Sequence, residues 1–190
     1  SLDEVAHAGS HDPFELRRKL LTHNPRALAV LDRAAELSGW GKPPEGRFQG
    51  MGYTDYLETF QAQVAEVSVS KRGKITVHKI TCVADCGQVF NSHIAKQQLE
   101  GAILYGLNAT LKGEINVKDG QIVQSNFDDY PMLKLKDTPE INVHLMESHE
   151  APGGLGEAGT PLIGPAVANA VFAATGKRVR RLPIRPKDLV

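Results

Sequence analysis

The chain is poor in several features that would have announced a function. Two cysteines in 190 residues, Cys82 and Cys86, cannot build a disulfide framework. Their C-x₃-C spacing fits neither a zinc ribbon nor a redox pair. If residues 76–86 extend as a strand, the sulfurs stand ~13 Å apart on one face, beyond the reach of a disulfide. They read as small buried apolar groups. Net charge is also lacking: 22 Lys and Arg balance 22 Asp and Glu, which excludes the all-over basic surface of a nucleic-acid binder. Apolar stretches are short, as at Ala170–Ala174, far below the ~20 residues of a membrane span. No basic segment leads into an apolar leader. No serine sits in a nucleophile elbow, and no P-loop is present. The histidine pairs His7/His11 and His144/His149 have no third partner in sequence, so no metal-ligating set is expected from protein side chains.

What remains is an ordinary globular balance, with 41% hydrophobic and 23% charged residues in a length suited to one domain, or a domain with a small appendage. Residues 1–40 read as helical. Asp12-Pro13 has the pattern of an N-cap followed by proline at the first helical position, and Leu16, Leu20 and Leu21 follow. A second helix fits Asn24-Pro25 through Ser38, closed by Trp40 and Gly41. Residues 41–50, rich in Gly, Pro and charge, read as a linker. From Phe60 the period becomes two. Residues 64–69 and a strand from Lys74 to Asp85, with Ile75, Val77 and Lys79 on one face, flank the turn Lys71-Arg72-Gly73 as a hairpin.

Asn91 suits the cap of a long helix from Ser92 to about Leu111, with Ile94, Leu99, Ala102, Ile103, Gly106 and Leu107 as its apolar stripe. Gly101 and Gly106 inside that helix cost about 1 kcal/mol each against alanine, so a close approach is expected at both. A further hairpin turns at Asp119-Gly120. Ile141–Met146 alternates as a strand, Gly164-Pro165 opens a helix that Gly176 ends, and residues 180–184 suit a last short strand. Helices and hairpins intermix without regular βα alternation. The fold class expected is α+β: a hairpin-linked mixed sheet with packed helices, residues 46–190, preceded by a small helical segment, residues 1–45.

The chemically richest stretch is Pro152–Pro161. Four glycines and two prolines in ten residues make a tight loop that lets backbone approach a ligand closely. Its only ionisable group is Glu157, placed shortly before a helix start, as suits a general base; a surface turn with an exposed Glu is the plain structural alternative. The loop carries the outline of the dinucleotide pattern G-x-G-x-x-G, but no parallel βαβ unit is expected around it. A second candidate is Asp85-Cys86-Gly87 with Gln97-Gln98-Leu99-Glu100-Gly101, where an early-helix Gln can offer a ligand both donor and acceptor, or simply form a solvated polar face.

Together these stretches resemble the molybdenum hydroxylase family, the xanthine oxidase and aldehyde oxidoreductase group, and within it the C-terminal part of an isoquinoline 1-oxidoreductase-like large subunit. The resemblance is carried, in order along nearly the whole chain, by Asp12–Arg17, Ala62–Val67, Asp85-Cys86-Gly87 with Asn91, Gln98–Gly101, Gln124–Phe127 with Tyr130-Pro131, Gly154–Glu157, Pro165–Arg178 and Arg181–Pro183. It implies a molybdenum-dependent oxidoreductase that hydroxylates an aldehyde or N-heterocycle with oxygen from water. The metal would be carried by molybdopterin, in its cytosine dinucleotide form, with no direct ligand from the protein. By motif position Glu157 matches the general base that takes the proton from the Mo–OH group, in a dry pocket. Gln98 matches the glutamine near the molybdenum, and the backbone at Gly156 lines the same pocket.

The family's large subunits are several times longer than 190 residues, and this chain begins at Ser1 rather than Met. The resemblance therefore implies a fragment, loaded with cofactor only as part of the full-length enzyme. By itself it is expected to bind little cofactor and show no turnover. Its partners would be the remainder of the large subunit, an iron–sulfur subunit and a small-molecule substrate, with no nucleic acid and no membrane span in this chain. Ser92 departs from the Asn-Pro pair of the family. A non-catalytic accessory domain that kept the fold is the alternative function.

Overall fold

The local signals at the N-terminus do what their chemistry predicts. In the computed structural model, which describes residues 1–190, helices α1 (Leu2–Ala8), α2 (Pro13–Leu20) and α3 (Pro25–Ser38) follow one another. Asp12 accepts from the backbone N–H groups of Phe14 and Glu15, and Asn24 from that of Ala27, satisfying donors that a helix start leaves open. Gly39 closes α3 at φ 63°, two residues before the Gly41 expected from sequence. That left-handed cap costs glycine no steric clash.

Three long strands follow: β1 (Phe48–Tyr56), β2 (Thr59–Val69) and β3 (Ile75–Asp85). After helix α4 (Ser92–Leu111) and the small hairpin β4 (Val117–Lys118) and β5 (Gln121–Ile122), strand β6 (Glu140–Leu145) returns beside β3. The main sheet has the order β1-β2-β3-β6. Its first three strands are antiparallel neighbours, while β6 runs parallel to β3. The mixed α+β sheet is as expected. Helix α5 (Thr160–Thr175) completes the fold, and none of the helices is long and apolar enough to cross a membrane.

Strand β1 takes only the last three residues, 48–50, of the linker expected at residues 41–50 and runs on to Tyr56, while residues 41–47 lie outside any helix or strand. Gly50 and Gly52 interrupt the apolar alternation because α5 lies directly on them. A Cβ at Gly50 would stand 2.1 Å from the Ala170 nitrogen and 2.3 Å from the Ala166 oxygen. The strand gives up side chains to let a helix backbone approach.

The β2–β3 register shifts between Glu66 and Val67: Glu66 faces Lys79 but Val67 faces Val77, leaving His78 as the extra residue. This bulge places Val77 on the same face as Ile80, Cys82 and Ala84, in place of the unbroken face through Lys79. Ser68 Oγ and His78 Nε2 lie 2.7 Å apart beside it.

The sheet is covered on both sides. Ala65, Val67, Ile80, Cys82 and Ala84 pack against Leu99, Ile103 and Leu107 of α4 and Ile163, Val167 and Val171 of α5. On the opposite face Ala62, Val64 and Val83 meet Ala27, Val30, Leu31 and Ala34 of α3. Each large aliphatic side chain buried here contributes roughly 1.5–3 kcal/mol. Arg26 pins α3 to the end of β3, donating from Nε and Nη2 to the two Asp85 oxygens at 2.8 and 2.7 Å.

Three other expectations change. Ile94 is exposed on α4, because it lies five residues before Leu99, off the helical face. Helix α5 begins at Thr160 and takes Pro165 inside it, with Pro161 occupying the tolerant first turn. Residues 180–184 form no strand. The Asp119-Gly120 turn is as expected, with φ of 51° and 77°, although the strands it joins shrink to two residues each.

Candidate functional site

The glycine-rich loop, residues 151–159, runs between β6 and α5 and is held almost entirely through its backbone. Gly153 N donates to the Cys86 carbonyl at 2.8 Å, and Gly154 N to the Leu57 carbonyl at 2.8 Å. Three side chains then donate to successive loop carbonyls: Thr59 Oγ1 to Gly154 at 2.7 Å, Gln98 Nε2 to Gly156 at 2.7 Å, and Gln63 Nε2 to Gly159 at 3.0 Å. The glycines are needed for this fit. A Cβ on Gly153 would stand 2.7 Å from the Glu58 oxygen, and one on Gly87 2.1 Å from the Ala151 oxygen. Gly156 faces open space, so its backbone is accessible to a ligand.

Glu157 sits at the outer turn of this loop and is exposed. The dry surroundings anticipated for it are not built by this chain. One of its oxygens, Oε1, accepts a hydrogen bond from the Tyr56 hydroxyl at 2.8 Å. The hydrogen bond to Glu157, and then its negative charge, hold the Tyr56 phenol above its ordinary value, because both disfavour a second negative charge there.

Glu157, Gly156 and Gln98 are brought together across the Gln98–Gly156 bond. Beside them lies an open concavity of about 290 Å³ lined by Cys86, Phe90, Ile94, Gln98, Pro152 and Leu155. Asp85, singled out with Cys86 and Gly87, is turned the other way: it pairs with Arg26 and accepts from Gly87 N at 3.1 Å. Its place is structural. Burial pushes the Asp85 carboxyl up, but the Arg26 hydrogen bond, Gly87 N–H, the Arg26 charge and Ser148 together bring it below the ordinary carboxylate range. Gly106 shows the close approach expected of it, with the Thr160 oxygen 2.3 Å from a would-be Cβ, whereas Gly101 meets nothing within 4 Å.

Tyr56, Thr59 and Gln63 were not anticipated as site residues. The signal for Gln63 was present: Gln61 and Gln63 are polar at positions of β2 that alternate with apolar ones. Both are fully buried, and Gln63 Oε1 has no partner. Tyr56 lies 101 positions from Glu157 and carried no local signal.

No three His, Cys, Asp or Glu side chains converge where they could hold a metal ion. The donor set is instead an accessible glycine backbone, an amide and a carboxylate. It suits a cofactor that brings its own metal ligands. Residues 27–139 match the molybdopterin cofactor-binding domain family. The chain belongs to that family, within the molybdenum hydroxylases. The chain is 36% identical over 190 residues to isoquinoline 1-oxidoreductase subunit beta of Brevundimonas diminuta, covering 97% of this chain and 24% of that protein. It is 37% identical over 210 residues to a membrane-bound aldehyde dehydrogenase (pyrroloquinoline-quinone) of Gluconacetobacter polyoxogenes, covering 100% of this chain and 27% of that protein. Among solved structures it is similar to quinoline 2-oxidoreductase of Pseudomonas putida 86. The TM-score is 0.63 and the identity 26%, over 68% of this chain and 18% of that one. The chain thus spans about a quarter of the length of these curated relatives.

Proposed function

We propose that this domain supplies the proton-accepting carboxylate of a molybdopterin-dependent hydroxylase or dehydrogenase that oxidises an aldehyde or an N-heterocycle with oxygen from water. The observation that carries this reading is the Gln98–Gly156 hydrogen bond, which ties the amide of α4 to the loop bearing Glu157 in a chain of the molybdopterin-binding family. When bound, molybdopterin supplies the two-electron redox centre and the activated water-derived oxygen.

The chain's own residues do the rest. Glu157 accepts the proton of the attacking oxygen as its bond to the substrate carbon forms. Gln98 and the Gly156 backbone hold the pterin side of the site. Gln98 uses Nε2 on the loop, which leaves its Oε1 to accept from a ligand. The cytosine dinucleotide form of the cofactor belongs to this proposal. So do an iron–sulfur partner and the remainder of the large subunit, whose surfaces would exclude water from the exposed Glu157. Taken alone, the chain is proposed to be inactive.

The test is Glu157→Gln in the full-length enzyme loaded with molybdenum. A fall in kcat of at least ~10²-fold at unchanged molybdenum content is expected. A near-normal rate would overturn the assignment and favour a non-catalytic accessory domain, a reading to which the exposure of Glu157 lends its support.

A further inference from the structure

We propose that Tyr56 is a positioning residue for Glu157, delivered to it by a β1–β2 turn clasped onto the glycine-rich loop. The inference rests on the reading of Glu157 as proton acceptor and adds a residue to it.

The turn itself is the first argument. Tyr56 pairs with Thr59 across the end of the hairpin. The two residues between them, Leu57 and Glu58, have φ of 51° and 60°. Two-residue hairpins of this hand are usually made by Asn-Gly or Asp-Gly, since side chains crowd the backbone in the left-handed region. Two consecutive residues with full side chains hold that conformation only where surrounding contacts impose it.

The loop that bears Glu157 supplies such contacts. The Leu57 carbonyl accepts from Gly154 N at 2.8 Å, and Thr59 Oγ1 returns a bond to the Gly154 carbonyl at 2.7 Å. The Leu57 side chain lies so close to Gly154 that a Cβ there would come within 2.8 Å of Leu57 Cβ. The Glu58 carbonyl is equally close to Gly153. Each residue of the turn therefore touches the loop, and Tyr56 completes the set with its bond to Glu157 Oε1 at 2.8 Å. An exposed glutamate has many rotamers, and anchoring one oxygen removes most of them. The other oxygen, Oε2, is then presented from a defined direction. A tyrosine hydroxyl is protonated, and so a donor, throughout the neutral region, and Glu157 holds it there further by raising its value.

The test uses the full-length, molybdenum-loaded enzyme. Tyr56→Phe is expected to lower kcat per bound molybdenum about 10-fold, with KM and metal content within about twofold of wild type. Gly154→Ala, which pushes Leu57 off the loop, is expected to give the same kcat defect. Independently of turnover, 3-fluorotyrosine at position 56 read by fluorine NMR should show a titration midpoint that falls when Glu157 is replaced by Gln. A Tyr56→Phe enzyme with unchanged kcat per molybdenum overturns the proposal. So does a loss confined to folding or metal content, or a fluorine midpoint indifferent to Glu157→Gln. If Glu157→Gln is nearly inactive while Tyr56→Phe is normal, only the positioning role fails. A nearly normal Glu157→Gln defeats the proton-acceptor reading itself.

Discussion

Gln98 Nε2 donates to the Gly156 carbonyl at 2.7 Å, so that the second turn of α4 holds the loop residue next to Glu157. The bond spans 58 positions of sequence and is exposed on one side, where a ligand can add to it.

Removing it should loosen the loop without unfolding the domain. Gln98→Ala forfeits a hydrogen bond worth about 1 kcal/mol and is expected to lower kcat per molybdenum about 10-fold in the full-length enzyme. Gln98→Glu sets a carboxylate against the Gly156 carbonyl and should cost more. Steady-state kinetics with metal analysis, and protease cleavage within residues 151–159, are the measurements. A Gln98→Ala loop as resistant and as active as wild type would remove this bond from the argument.

The approach of α5 to β1 sets a second expectation. Gly50→Ala places a methyl group 2.1 Å from backbone nitrogen of Ala170, and helix or strand must move. A loss of about 2–4 kcal/mol in urea unfolding is expected. Gly52→Ala meets first the Leu162 side chain, at 2.7 Å, which can turn aside. Its loss should be nearer 1–2 kcal/mol, about half as large. Equal effects at the two positions would contradict the packing described.

Stability should also depend on pH through Asp85. Its folded carboxyl lies below the ordinary range, since the Arg26 and Gly87 hydrogen bonds outweigh burial. Such a group stabilises the fold above its unfolded value, and that contribution disappears as pH falls through the folded one. Asp85→Asn is therefore expected to cost about 2–3 kcal/mol at pH 7, as befits a charge-assisted hydrogen-bond pair, and progressively less below about pH 4. Denaturation curves across that range decide it. A pH-independent difference would show that the Arg26 pair contributes nothing through charge.

The two thiols should be silent in the folded protein. Burial pushes the Cys82 thiol up to about 12 and raises Cys86 as well. Both are free and buried, and the thiolate is the reactive form. Neither is expected to react with a thiol reagent at pH 8 until denaturant is added. Rapid labelling of Cys86 under native conditions would mean that the reagent reaches its thiol from the concavity it lines.

Legibility followed the range of the interaction. The caps at Asp12 and Asn91 were readable because a cap is a contact over three residues. The turn at Asp119-Gly120 and the stop at Gly176 were readable for the same reason. Strand β1 was not, because Gly50 and Gly52 answer to a helix more than 100 residues away and erase the alternation that marks a strand. The bulge at His78 was equally hidden, since a register shift is a property of two strands.

The candidate site divides along the same line. The order of residues alone determined the family, the glycine-rich loop and its single carboxylate, because motif chemistry is written in adjacent positions. Only the tertiary structure decided that Gln98 and Gln63 hold that loop, that Tyr56 reaches Glu157, and that Asp85 serves Arg26 instead of a ligand. Each is a directional hydrogen bond between distant segments, and its geometry exists only once two helices and a sheet have packed.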